Sequence, residues 1–403
     1  MRLLYTFGIL LYVSLVHAAS IFSTKAKLWV IGRKNWREKL QNAIPPNRKV
    51  IWFHCASLGE FEQARPILEV YKAKHANEFI LLSFFSPSGY EIRKGYKLAD
   101  YICYMPADFI ANARTFVKIA KPEKAVFVKY EFWYNFMAAL HHSGCKTFLI
   151  AARFRTDQPF FKWYGSWFRK QLNHFFKIHV QDSISAERLK EIGVSNYEIS
   201  GDPRFDRVSH NASQTNELPE IKKWLNGRSC MVAGSAWPAD EKIFLPWNNH
   251  HALIIAPHEI DETHLKSIEA QGGRSILRYS RLLQEPNATS DILLIDNIGM
   301  LMRIYSMADF AFVGGGFGTG LHNILEPAAF GIPVAFGPIH HKFPEAYALI
   351  QAGGATEVSN KSDFQAFLNL MDSKKNAEMS HKSHLFVQSQ IGATSLILND
   401  LEK

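Results

Sequence analysis

The sequence predicts an α/β protein made of two doubly wound units with parallel sheets, preceded by an apolar N-terminal helix. Three observations predict it. Short apolar runs alternate with helical stretches from Lys49 onward, at the spacing of βαβ units. The alternation pauses at a polar stretch, Ser209 to Glu217, and then starts again. Residues with chemistry to offer fall just after the apolar runs, where ligands bind in open parallel sheets. A chain of 403 residues has room for two domains and an appendage.

Leu3 to Phe22 carries no formal charge and is long enough to cross a bilayer. Ser14 to Ser20 has the small residues of a signal-peptide end, but the flanks favour retention. Only Arg2 precedes the segment, whereas Lys25, Lys27, Arg33, Lys34, Arg37 and Lys39 follow it. Positive charge stays on the cytoplasmic side, so the expectation is an anchor over residues 1–30 with the body in the cytoplasm, a cleaved signal and a helix buried against the protein being the alternatives. The basic residues would rest on anionic headgroups.

The first unit is expected over 31–208. Val50 to Phe53, Phe79 to Phe84, Tyr101 to Met105, Ala125 to Val128, Thr147 to Ala151 and Ile178 to Val180 read as its strands. Ser57 opens a helix running to Lys74, Ser86-Pro87 opens another, and Ser183 or Ser185 caps a third. The second unit is expected over 209–380, with strands at Ser229 to Ala233, Ala252 to Ala256, Asp291 to Ile295, Phe310 to Val313 and Val334 to Phe336. Residues 381–403 read as a helical tail.

Composition narrows the function. With 47% hydrophobic and 21% charged residues the chain is globular. A net charge of +9 calls for an acidic partner. Basic and aromatic residues are not interleaved in any nucleic-acid motif, so the partner is expected to be anionic lipid or a phosphorylated substrate, with no nucleic acid. Cys55, Cys103, Cys145 and Cys230 are widely spread and form no C-x-x-C pair, which suits reduced thiols rather than zinc or disulfides.

The chain is organised around Asp309 to Pro338. A short strand is followed by Gly314, Gly315, Gly316, Gly318 and Gly320. A helix is expected from His322-Asn323, with Asn323 as N-cap, Glu326 three residues on, and Pro327 tolerated in the first turn. Strand, glycine turn and helix N-terminus together can hold a phosphate, and a carboxylate just inside the helix can accept from ribose hydroxyls. A tight βα turn with a capping glutamate is the structural alternative.

Other loops carry charge of their own. Ser57-Leu58-Gly59-Glu60 follows a strand, and a first-turn carboxylate there is a weak base unless burial or a second carboxylate raises its pKa. Glu131-Phe132-Trp133-Tyr134-Asn135 follows another strand. Gly201-Asp202-Pro203-Arg204-Phe205-Asp206 closes the first unit; there a hinge-loop ion pair between Arg204 and Asp206 is the structural alternative to a catalytic cation.

Taken in order, H-x-x-S-x-G-E with Ala64-Arg65-Pro66, E-F-W-Y-N, G-D-P-R-F-D, the Gly234-Ser235 loop with Glu241, and the glycine stretch ending H-N-x-L-E-P resemble the 3-deoxy-D-manno-octulosonic acid (Kdo) transferases of lipid A assembly. The resemblance runs from the anchor to about Gly353. It implies a GT-B glycosyltransferase: two Rossmann-like domains with parallel sheets facing a cleft. It implies transfer of Kdo from CMP-Kdo to the 6′-hydroxyl of a lipid A precursor (lipid IVA) in lipopolysaccharide biosynthesis, with inversion, no cofactor and no metal. No D-x-D motif is present. It places the protein at the bacterial inner membrane, catalytic domains on the cytoplasmic side. Glu60 falls on the family's general base, Glu131 on a transition-state stabiliser and Arg204 on a lysine that offsets phosphate charge. Donor contacts are implied at Pro257, His258, Asn297, Ile298, Gly299, Gly315, Gly316, Asn323, Ile324, Leu325 and Glu326, and acceptor contacts at Ser57 and Gly59. The chain departs from the pattern at Tyr134 (proline in the family), Arg204 (lysine), His258 (arginine) and Met300 (glutamate). A GT-B enzyme using a UDP-sugar on another membrane-lipid or peptidoglycan precursor would share the glycine stretch and Glu326, but not the Ser57-Gly59-Glu60 and Glu131-Phe132-Trp133 segments.

Overall fold

The structure, a computed structural model, describes residues 1–246, 251–271, 275–318, 320–371 and 373–403. Contacts divide the chain into two units: Met1–Asp206 with Gly392–Lys403, and Arg207–Ile391. The contact boundary falls inside the helix Pro203–Gln214, where the polar stretch suggests 208/209.

The first unit holds seven parallel strands: β1 (Val50–Cys55), β2 (Phe79–Phe84), β3 (Tyr101–Tyr104), β4 (Pro122–Val128), β5 (Lys146–Ala152), β6 (Lys177–Val180) and β7 (Tyr197–Ile199). Their spatial order is β3-β2-β1-β4-β5-β6-β7. β1 and β2 are buried at every position, because helices cover both faces of a parallel sheet and leave no strand residue in water. The order reverses between β1 and β4, and the carboxyl ends of those two strands frame the crevice where such sheets bind ligands.

The second unit repeats the plan with β8 (Cys230–Ala236), β9 (Ala252–Pro257), β10 (Ile276–Arg278), β11 (Ile292–Leu294), β12 (Phe310–Val313), β13 (Val334–Phe336) and β14 (Ala355–Glu357). The order is β10-β11-β9-β8-β12-β13-β14, with its switch point between β8 and β12. Three strands escape a reading of the sequence: β7 (YEI), β10 (ILR) and β14 (ATE). All three lie at sheet edges. Each pairs on one side only and is too short to show an apolar run.

The tail expected over 381–403 is two helices with different allegiances. Lys375–Gln388 stays with the second unit, whereas Ala393–Leu401 belongs to the first. Asp206 fixes that last helix by accepting hydrogen bonds from the Gly392 amide (2.7 Å), the Thr394 amide (3.0 Å) and the Thr394 hydroxyl (3.0 Å). Ile397, Leu398 and Leu401 then join the core of β1, β2 and the helix Leu58–Lys74. Arg204 pairs with Asp202 at 2.7 Å. On the last helix Asp400 lies 3.4 Å from buried His179, and His179, Glu198 and Asp400 bring ligand atoms within 4.8 Å of one another. Lys177 already sits 3.0 Å from Glu198, and Lys403 2.6 Å from Asp400, so cations balance these carboxylates.

Candidate active site

Both glutamates singled out in the first unit stand at its switch point. β1 ends at Cys55, and the helix Leu58–Lys74 begins after the N-cap Ser57, whose side chain makes no capping bond. Glu60, in the first turn, reaches back instead and accepts from the Ala56 amide. Glu131 follows β4 and is 7% exposed. It accepts from the Trp133 indole and lies 3.1 Å from His54 Nε2.

Burial pushes the Glu60 pKa up, and the Glu131 charge pushes it further; the Ala56 amide, Lys129 and the Ser57 amide only partly offset this. Burial likewise holds the Glu131 pKa above the ordinary carboxylate range, against the Trp133 hydrogen bond. The helix dipole alone would make Glu60 a weak base. Desolvation and a second carboxylate outweigh it, although Glu60 keeps part of its surface in water.

His54 interrupts the apolar strand VIWFHC and is fully buried. Its Nδ1 lies 2.8 Å from Ser83 Oγ, which accepts from the Trp52 indole at 2.7 Å. Burial, then the Arg33 charge, lowers its pKa to about 3, so the imidazole beside Glu131 is neutral. Lys129, whose charge works to lower the Glu60 pKa, has a left-handed backbone (φ 64°) just after β4. The roles of His54, Ser83 and Lys129 are not apparent from sequence, although a histidine inside an apolar strand and an unusual φ beside a switch point are the kinds of signal that mark them. Gly59 has open space where a side chain would be, so its lack of one is not demanded by packing.

Arg204 donates from Nε and Nη2 to Asp202 at 2.9 and 2.7 Å. Asp202 is buried and also accepts from Gln181 at 3.2 Å. Burial works to raise the Asp202 pKa, but Arg204 and its hydrogen bonds more than offset that. Arg204 is thus a fixed fork, not a swinging cation.

In the second unit the glycine turn leaves β12 at the β8–β12 switch point. Its glycines answer first to packing. A side chain on Gly314 would strike the Ser235 carbonyl at 2.3 Å, and one on Gly316 the Gly337 backbone at 2.5 Å. Gly315 has φ 91°. Its amide is already donated at 2.9 Å to Asp240, a buried carboxylate that also receives the Trp237 amide at 2.9 Å. That amide is therefore engaged within the protein. Thr319, in the same turn, lies outside the described residues.

The following helix is shorter than expected, Leu325–Ala329, with Ile324 as N-cap. Asn323 is not the cap, but its Oδ1 accepts from the Leu325 amide (3.2 Å) and its Nδ2 donates to Glu326 (3.0 Å). Burial raises the Glu326 pKa, while Asn323 and Arg207 oppose it. Ile324 and Leu325 are core side chains, 1% and 0% exposed, so only their backbone can meet a ligand.

His258, after β9, is exposed and stacks on Trp237 (4.6 Å) and His322 (4.4 Å). The Trp237 indole donates to His322 Nε2 at 2.9 Å. Burial and His258 lower the His322 pKa to about 4. This stack gathers the arginine-replacing histidine, the His322 of the glycine-stretch motif, and Trp237, which no expectation names. Pro257 closes β9, and Asn297, Ile298 and Gly299 form an exposed loop after β11.

A family described as 3-deoxy-D-manno-octulosonic-acid transferase (kdotransferase) matches residues 34–207. The chain is 28% identical over 347 residues to a 3-deoxy-D-manno-octulosonic acid transferase of Rickettsia felis, covering 82% of this chain and 73% of that protein. It is 25% identical over 384 residues to a protein of the same name from Haemophilus influenzae, covering 90% and 88%. Among solved structures it resembles UDP-GlcNAc 2-epimerase from Neisseria meningitidis, with TM-score 0.60, 15% identity, and 88% and 99% of the two chains covered. That likeness is one of fold.

Proposed function

From the match over residues 34–207 and the similarity to named Kdo transferases, we propose that the chain is a Kdo transferase, moving Kdo from CMP-Kdo to the 6′-hydroxyl of a lipid A precursor at the bacterial inner membrane, on the cytoplasmic side. The observation that carries the mechanism is the pair of carboxyls at the β1–β4 switch point, Glu131 buried and Glu60 partly exposed. Glu60, ionised, takes the proton of the acceptor hydroxyl. The hydroxyl oxygen bonds to the anomeric carbon of Kdo as the bond from that carbon to the phosphate oxygen breaks. The electron pair leaves with CMP, and attack from the face opposite the leaving group inverts the centre. Glu131, held by Trp133 and His54, faces the positive charge that develops on the sugar.

The second unit holds the donor: Glu326 with Asn323 takes the ribose, and Gly316, the Asn297–Gly299 loop, Pro257 and His258 line the nucleotide. Arg204 offsets charge on the leaving phosphate from its fixed pose on Asp202, and no metal takes part. Ser57 and Gly59 meet the acceptor, where the missing Gly59 side chain leaves room. The deciding experiment incubates purified full-length protein with lipid A precursor and either CMP-Kdo or a UDP-sugar, and weighs the products. Mass increments of Kdo from CMP-Kdo support the reading; product from the UDP-sugar alone sinks it.

A further inference from the structure

A cavity of about 510 Å³ opens in the first unit between the helices Ile110–Ala120 and Tyr134–His142. Arg2, Arg114, Lys118 and Lys121 line it together with Asn135 and His142, and no carboxylate does among the described residues. Arg114 and Lys118 are one helical turn apart and share a face. Arg2 also acts on the buried Asp108 behind Asn135, but Arg114, Lys118 and Lys121 meet no carboxylate in the lining, and this suits a polyanionic group.

The place of Arg2 says where that group comes from. Arg2 opens the N-terminal helix, Arg2–Ala19, and donates to Asn135 at 3.4 Å. Tyr5 donates to buried Asp108 at 2.6 Å. Farther along, Tyr12 packs edge-on against Trp29 at 6.0 Å, and His17 lies 6.5 Å from it. Both ends of the helix therefore touch the first unit. A helix of this length crossing the bilayer would carry Arg2 about 27 Å away from the body of the protein. The contacts and a crossing exclude each other. Facing away from the body, Leu3 is 86% exposed and Phe7 64%. An apolar ridge with a cationic cavity at its end matches the arrangement of acyl chains and phosphates in one leaflet.

We propose that the N-terminal helix lies along the membrane surface instead of crossing it, and that the Arg2–Arg114–Lys118–Lys121 cavity binds the phosphate of a membrane lipid headgroup. This rests on the membrane reading above but not on the sugar transferred.

Flotation of the full chain with vesicles tests it. Phosphatidylcholine vesicles read the apolar helix alone, and vesicles doped with phosphatidic acid add the phosphate. Arg114→Ala with Lys118→Ala should weaken binding to the doped vesicles about thirtyfold, since each basic residue near an anionic surface counts for about fivefold. Binding to pure phosphatidylcholine should not change. Lys222→Ala with Lys223→Ala removes the same charge from an exposed helix of the second unit and should leave both arms unchanged. An equal loss in that control would mean diffuse attraction and overturn the site. So would an unchanged affinity in the cavity variant, or full competition by inorganic phosphate, which would mark a soluble-anion site. Arg114→Gln is the fallback if the double variant loses its thermal transition. A cysteine placed at Leu3 should react with an impermeant thiol reagent only from the side that exposes the body; reaction only from the opposite side would restore a crossing helix. Loss of Kdo transfer with vesicle binding intact would count against the proposed activity and leave this cavity standing.

Discussion

Glu60 is where a single proton decides between a cap and a catalyst. Glu60→Gln keeps the shape and can still accept from the Ala56 amide, but cannot take a proton. Turnover should fall about 10²–10⁴-fold. Stability should move the other way. The folded pKa of Glu60 is raised, so its stabilising contribution is complete below the unfolded carboxylate pKa and is lost as pH rises through the folded value. The glutamine variant should therefore melt at the same or a higher temperature than wild type at alkaline pH. A lower melting temperature with turnover kept would make Glu60 a capping residue. The rising limb of the wild-type pH–rate profile should lie above the ordinary carboxylate range and vanish in the variant. His54 makes a second case. His54→Phe keeps a buried ring but removes the donor to Glu131, so kcat should drop while the KM for CMP-Kdo holds, and the pH limb should move. An unmoved limb with only a lower melting temperature would reduce His54 to packing.

At the scale of elements, the start of the last helix is capped by one carboxylate, Asp206. Asp206→Ala removes three hydrogen bonds that serve as the cap of Ala393–Leu401. Loss of such a cap costs about 0.5–2 kcal/mol. Hydrogen exchange should rise first over residues 393–401, and Asp206→Asn should restore part of the protection. Uniform exchange across the first unit would show that the helix is held by Ile397, Leu398 and Leu401 alone. The glycine turn gives a second test. Glu326→Ala should weaken CMP binding by about 1–3 kcal/mol if a hydrogen-bonding partner of the ribose is lost. Calorimetry that finds unchanged affinity in a folded variant would leave Glu326 as the partner of Asn323 only.

At the scale of the whole molecule, the proposed membrane attachment rests on the N-terminal helix and the net charge of +9. The intact chain should fractionate with the inner membrane and remain open to protease from the cytoplasmic side. A mature protein starting near Ala19 in the periplasm would end the anchor reading. Salt should weaken attachment to anionic membranes, because exposed lysines and arginines are screened, but should not release a helix held by apolar burial.

Much of this was legible in the residues themselves. Continuous runs such as VIWFHC and FILLSF announce strands buried on both faces, and their alternation with helices announces two parallel sheets. Local patterns suffice there, because burial on both faces leaves its mark on every residue of a central strand. The edge strands β7, β10 and β14 leave no such mark, and neither does the return of the last helix to the first unit, since each depends on partners distant in sequence. The candidate site divides the same way. The resemblance singled out Glu60 and Glu131, but only the packing of β1 beside β4 buries Glu131 and brings its charge to bear on Glu60, raising both pKa values. Likewise the glycines of the turn were plain to read, whereas the commitment of the Gly315 amide to Asp240 was not. Which groups share a low-dielectric space, and which donors are already taken, is decided by tertiary contact, because desolvation and hydrogen bonding are properties of neighbours and not of the chain.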